Sequence, residues 1–348
     1  MANGKKNYQN TILDIAEALK LSPATISRAL NNHPYVKEKT RNDVVEMAAK
    51  LGYRRNHMAS GLRSNKSRTV GLIVPRVSMF FHAEVITTIQ NDLHRHGYSL
   101  IICQSNDSVS MERELAETLY ASRVDALIAA CTLQTIDFSH FDKFVDNGTP
   151  VIFYDRVPVE PYKATLVKGD DFNGAYQATS HLIAAGCKRI AHISGPLTSN
   201  LYQDRSAGFL KAMEEHQLEV KPEWVFHQEL TPENAMAAMQ QMFGADVVPD
   251  ALFADNDTTA IAAIEFAKEK GIAVPFSLKV AGYSNDPRTS IITPPITSVE
   301  QFPDTVGKRV VEAVVDLLND DEAGPVYISK SVVVPVQLIS RMSTSTTQ

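Results

Sequence analysis

The densest chemistry in the chain lies between Leu21 and Leu30, in the run LSPATISRAL. The Ser22 hydroxyl can accept from the first free amides of a helix and Pro23 is preset for the first helical position, so a helix starts there. Its turns place Thr25, Ser27 and Arg28 away from Ile26, Ala29 and Leu30. Small groups and one guanidinium suit the floor of a DNA major groove, where an Arg can pair bidentately with guanine for ~1–3 kcal/mol of discrimination. Pro23 and Ala24 carry no side-chain donor and can at most pack on a thymine methyl. Just before them, Ile12, Ile15, Ala16 and Leu19 recur at helical spacing, and Lys20-Leu21-Ser22 is a turn that fits two crossed helices. The pair reads as a helix-turn-helix. An ordinary helical hairpin with a solvated face is the blander alternative.

Charge favours the first reading. Residues 1–68 hold 13 Lys/Arg against 5 Asp/Glu, and the remainder holds 21 against 35, so a basic head meant for a polyanion sits on an acidic body. Cys103, Cys131 and Cys187 are odd in number and far apart, which fits buried thiols in a reducing cytosol and neither a disulfide frame nor a CxxC metal site. No apolar run approaches the ~18 residues of a membrane helix, and Met1 to Asn10 is polar and basic, unlike a signal peptide. A cytoplasmic chain without membrane contact is expected. It shows no P-loop, HExxH, GxSxG or GxGxxG in its proper setting, so an enzyme is not expected, nor a cofactor or metal.

These residues need elements to hold them. Glu38 to Leu51 reads as a third helix with Val44, Val45, Ala48 and Leu51 inward, stopped by Gly52. Tyr53 to Arg68 is basic and too poor in apolar residues to bury itself, so it reads as a linker or a helix that forms only on a partner. From Thr69 the texture becomes that of parallel α/β structure: apolar runs 70–74, 99–103, 126–129 and 151–154, then 189–193, 251–254 and 279–283, with amphipathic segments between. Two doubly wound α/β lobes are implied, with a hinged cleft at the carboxyl ends of their strands. Expected boundaries are 1–55 for the DNA-binding head, 56–68 for the hinge, 69–162 plus 297–322 for the first lobe, and 163–296 plus 323–341 for the second.

The ordered set Thr11-Ile12-Leu13-Asp14-Ile15-Ala16, Ser22 to Asn31, Thr40-Arg41, Leu51-Gly52-Tyr53, Gly71 to Pro75, Asp155-Arg156, Arg205…Gly208-Phe209, Ala254 to Asp257 and Thr297 to Gln301 spans nearly the whole chain. It resembles the lac-repressor (LacI/GalR) family of bacterial transcription regulators. The resemblance implies a homodimer on a roughly palindromic operator, with Arg28 as lead specificity residue beside Pro23 and Ala24. Thr11, Ser22, Thr25, Ser27, Asn31 and Tyr53 match positions that hold phosphates. Asn56, Ala59 and Leu62 match a hinge helix in the minor groove, with Leu62 as the wedge at the central base step. Lys20 departs from the family's usual Gly, and Lys37 from a Ser that caps the third helix.

For the cleft, the resemblance carries over Asp155, Arg205, Asn256, Asp257 and Gln301 as groups that bond a small polar effector. Asp171 is a further lining residue or an N-cap, and Phe80 and Phe81 suit the cleft mouth. Converging carboxylates, amides and an Arg suit the hydroxyls of a sugar. Ser284 stands where several sugar-responsive relatives have Asp, and Leu230 where relatives place a ring-stacking aromatic. A sugar is thus the favoured effector, with a nucleobase or a partner protein as alternatives and a non-regulatory sugar-binding protein behind them. Trp224, after Lys221-Pro222-Glu223, reads as a packed edge residue.

Overall fold

A computed structural model describes residues 10–53, 67–319 and 329–346. It divides into two compact units, 1–67 and 68–348.

The first unit is built on α1 (Ile12–Leu19), α2 (Pro23–Leu30) and α3 (Glu38–Lys50). Thr11 and Asp14 form a reciprocal capping box at the start of α1, and the Ser22 hydroxyl accepts from the Thr25 amide at the start of α2. Ile15, Ile26, Ala29 and Val44 are fully buried and join the three helices into one small core. Val45, expected inward, is 53% exposed. Val44, Ala48 and Leu51 form one stripe at helical spacing, and the next residue after Val44 turns ~100° out of it. Lys37 makes no side-chain cap for α3.

The turn residue Lys20 sits in the left-handed region at φ 51°, where glycine is at ease and a β-carbon is strained. Lys20→Gly is therefore expected to stabilise this unit by up to ~1 kcal/mol, seen as slower hydrogen exchange of the α1 amides.

The second unit contains two six-stranded sheets. The first lobe uses β1 (Thr69–Val74), β2 (Ser99–Gln104), β3 (Ala126–Ala129), β4 (Val151–Tyr154), β5 (Thr165–Gly169) and β11 (Lys330–Val334), in the order β11-β5-β4-β3-β1-β2, all parallel. The second uses β6 (Ile190–Ser194), β7 (Val225–His227), β8 (Ala251–Ala254), β9 (Lys279–Tyr283), β10 (Thr297–Glu300) and β12 (Gln337–Ile339), in the order β12-β10-β9-β8-β6-β7, with only the β12 edge antiparallel.

The helices are α4 (Phe80–Arg95), α5 (Val109–Ala121), α6 (Asp142–Asp146), α7 (Asp171–Ala184), α8 (Asn200–Glu215), α9 (Pro232–Phe243), α10 (Asp257–Glu269), α11 (Arg288–Ile291) and α12 (Pro303–Asn319). Val306, Val310 and Val314 of α12 pack with Val85 and Ile89 of α4 on one face of the first sheet. Trp224 is buried in the core of the second lobe.

Sheet pairing corrects the expected lobe boundaries. β5 bonds to β4 in the first lobe, β10 to β9 in the second, and β11 returns to β5, so each crossing lies further along the chain than expected: beside Asp170, at Gln301-Phe302, and between Val334 and Gln337. β2, read as a buried strand, is an edge strand with Ile101 and Ile102 about two-fifths exposed.

Candidate functional site

In the head, Pro23, Ala24 and Arg28 lie exposed on α2, opposite the buried Ile26 and Ala29. The Arg28 guanidinium makes no hydrogen bond or ion pair within the described residues, which leaves its fork available. Thr25 and Ser27 are half-buried. The Thr25 hydroxyl shares a 2.8 Å hydrogen bond with Ser22, and the Asn31 amide donates to the Ser27 carbonyl at 2.7 Å. Tyr53 packs against the head core. With Thr11 and Ser22 acting as caps, the starts of α1 and α2 present helix amides of the kind that hold phosphate. Asn56, Ala59 and Leu62 lie outside the described residues.

In the body, the side chains of Arg205, Asp171, Asn256, Asp257, Ser284 and Gln301 are engaged in hydrogen bonds, while the Asp155 carboxylate accepts none among the described residues. Arg205 on α8 donates Nε to Asp171 Oδ1 at 2.8 Å and Nη1 to the Asp255 carbonyl at 2.5 Å, with its guanidinium 3.6 Å from the centre of the Tyr283 ring. This pairing depends on how closely α7 and α8 pack: a β-carbon on Gly208 would come within 2.1 Å of the Phe172 carbonyl. Asp170, not Asp171, caps α7. Burial raises the Asp171 carboxyl, and Arg205 opposes the rise.

Asp257 accepts from Ser298 Oγ and from the Asp286 amide, both at 2.7 Å, and burial pushes its pKa up to about 7. Asn256 caps α10 through Oδ1 and donates to the Leu230 carbonyl. Ser284, at φ 109°, donates to Gln301 Oε1 at 2.7 Å. Phe81 points into the first-lobe core, since it shares a helical stripe with Val85 and Ile89, while Phe80 is half-buried. Phe81 is therefore not at the cleft mouth.

Asp155 is different. It follows β4 in a left-handed conformation, is 8% exposed, and its carboxylate accepts no hydrogen bond among the described residues. Burial pushes its pKa up to about 6, with Arg156 and Arg205 pulling the other way. His82 of α4 stands 3.9 Å away, hydrogen-bonded at Nδ1 to the Tyr154 hydroxyl, and burial lowers its pKa to about 3. The neighbour of the carboxylate is thus a neutral imidazole.

The lobes touch around this group. Asn200 of α8 donates to the Asp155 carbonyl at 3.0 Å and accepts the Val157 amide at 2.9 Å, and Thr198 donates to the Leu133 carbonyl. Leu133 meets Leu201 and Tyr202 from the other lobe, with Leu230 packed against them. Sequence reasoning missed His82, Asn200 and Tyr202. His82 carried one legible signal, a titratable residue in the apolar stripe of α4.

Two family models match: "Bacterial regulatory proteins, lacI family" over residues 11–56, and "Periplasmic binding proteins and sugar binding domain of LacI family" over 67–341. The chain belongs to the LacI family of bacterial regulators. Relatives named HTH-type transcriptional repressor PurR include one from Haemophilus influenzae, 30% identical over 334 residues, covering 96% of this chain and 98% of the relative. Another, from Pasteurella multocida, is 29% identical over 335 residues, covering 95% and 99%. The fold is that of the lac repressor dimer bound to operator and the anti-inducer ONPF, with TM-score 0.85 at 23% identity over 97% of this chain and 99% of that one. A complex of the regulator CelR with cellobiose aligns with TM-score 0.71 at 24% identity, over 96% and 99%. As a LacI-family member the chain is a DNA-binding transcription regulator, and among the described residues no helix is long and apolar enough to cross a membrane.

Proposed function

We propose that this chain is a homodimeric repressor that reads a two-fold operator through α2, and that a nucleobase held between its lobes sets operator affinity. Repression follows the relatives, which are named as repressors, and dimerisation follows the lac repressor dimer that shares the fold. Two heads on a two-fold axis need two half-sites. Selection of full-length protein on a random duplex pool should return an inverted repeat. Enrichment of single half-sites without symmetry would contradict the dimeric reading.

The sugar that the sequence favours gives way to the nucleobase on one observation above all. Arg205 pairs with Asp171, Asp257 with Ser298 and Ser284 with Gln301, while the Asp155 carboxylate accepts no hydrogen bond among the described residues and has the His82 imidazole beside it. A polyol needs many converging forks. A flat base needs apolar surroundings and one group for its N–H edge, and Leu133, Leu201 and Tyr202 form an apolar cluster at the same lobe boundary. The PurR name of the relatives agrees with this reading.

A pH dependence follows. Asp155 has a folded pKa of about 6, raised by burial, so an N–H donor meets a carboxylate above that pH and a neutral acid below it. Nucleobase affinity is expected to be flat from pH 7 to 8 and to fall about tenfold per unit below pH 6. Calorimetric titration across that range measures it, and an affinity unchanged down to pH 5 would remove Asp155 from the contact. Binding that favours one interlobe angle would then shift the operator-competent population by its differential affinity.

A further inference from the structure

Past the Asn200 bridge, a cavity of ≈ 230 Å³ opens at the lobe boundary. Arg156 and Thr132 of the first lobe line it, with Ser199 and Asn200 at the start of α8 in the second. Asp155, Arg205 and Asp257 are not among its lining residues.

The buried side chains of this cavity that keep unused polar atoms among the described residues, Arg156 and Ser199, can both donate. Arg156, 4% exposed, gives Nη1 to Asp107 and the Cys131 carbonyl, and its Nε and Nη2 make no hydrogen bond among the described residues. Ser199 is 6% exposed and stands at the N-cap of α8, yet its hydroxyl makes no cap bond or other side-chain bond among the described residues. In the first turn of α8 the Tyr202 and Gln203 amides are bonded to the Ser199 carbonyl, which leaves the Asn200 and Leu201 amides without an intrahelical partner. Acceptors at the floor are already engaged. Asn200 Oδ1 takes the Val157 amide, and the Thr132 hydroxyl is shared with that of Thr135, which donates to the buried Glu112 carboxylate. Glu160 lies on the exposed rim, in water. The rim is otherwise apolar, with Ile136 76% and Val159 54% exposed beside Phe138.

We propose that this cavity is a second ligand site that takes a small organic carboxylate, its oxyanion on Arg156, Ser199 and the first turn of α8 and its apolar body on Ile136, Phe138 and Val159. Donors reach the oxyanion from both lobes, so the ligand ties one lobe to the other. It would therefore bias the same interlobe angle as the effector at Asp155, from a separate position.

Calorimetric titration of the full-length protein with benzoate, using benzamide as the uncharged analogue, tests the proposal. Benzoate is expected to bind saturably and benzamide roughly tenfold more weakly, because charge-assisted hydrogen bonds are lost. Ser199→Ala should weaken benzoate roughly threefold to tenfold without changing the unfolding midpoint, since the hydroxyl caps nothing. Ser199→Asp places a carboxylate at the uncapped helix start, and should abolish benzoate binding while raising the midpoint. Absence of saturable benzoate binding, equal affinity for benzamide, or undiminished binding by Ser199→Asp would overturn the proposal. Asp155→Asn separates this site from the nucleobase reading: benzoate binding should survive it, and its loss would merge the two sites and sink the second-site assignment.

Discussion

Replacing Arg205 with Met is expected to destabilise the body by ~3–5 kcal/mol near neutral pH, because it leaves a buried carboxylate without its cation. Arg205 is 4% exposed, and its partner Asp171 is 1% exposed. The substitution also orphans the Asp255 carbonyl and uncovers the Tyr283 face. The sign of the pH dependence is fixed by Asp171. Burial raises its folded pKa above the ordinary value, so its charge destabilises the folded state at high pH, and that penalty disappears as pH falls through the folded pKa. Without Arg205 the folded pKa climbs further. The deficit of Arg205→Met should therefore shrink between pH 7 and pH 5. Urea unfolding followed by the single tryptophan, Trp224, which is buried at 2% exposure, reads the effect directly. A pH-independent loss of under ~1 kcal/mol, the worth of an exposed pair, would show that the two groups are not paired in solution.

If Arg28 reads a base edge as proposed, Arg28→Ala should cost ~1–3 kcal/mol on the preferred operator and almost nothing on an operator changed at the corresponding base pair. Arg28 is exposed on α2 and lies outside the head core, so its removal leaves that core untouched. Thr25→Ala should act differently. Thr25 is half-buried and its hydroxyl is tied to Ser22, so its loss loosens the start of the helix and weakens every operator alike. Competition binding at one fixed salt concentration separates the two, since phosphate contacts dominate the salt response. Equal losses for both variants on all sequences would refute the division of roles.

The head was legible because its signals are local: a capping hydroxyl, a proline at the first helical position and one apolar stripe per helix. The lobes were legible as two series of apolar runs, but their boundaries were not. Thr165–Gly169 carries Lys168 and looks unlike a buried strand, and nothing in its own residues says that it pairs with β4. β10 and β12 are likewise short, and are fixed by their partners across the sheet. In the cleft, the family resemblance brought Asp155, Arg205, Asp257 and Gln301 together, but the pairings of Arg205 with Asp171, Asp257 with Ser298 and Gln301 with Ser284 follow from the packing of segments distant in the chain. Phe81 misled because an aromatic pair after a first strand suits a cleft mouth, while the phase of α4 turns the second ring into the core. Asn200 and His82 act through contacts with distant chain segments, which no spacing rule encodes.

Calorimetric titration of the full-length wild type and Asp155→Asn, at pH 7.5, with a panel of nucleobases and a panel of mono- and disaccharides, bears most directly on the central claim. The account predicts saturable binding of a nucleobase by the wild type, loss of that binding in Asp155→Asn, and no saturable heat with any sugar. A sugar that binds the wild type while every nucleobase fails would contradict it, and would return the cleft to the polyol chemistry that the sequence first favoured.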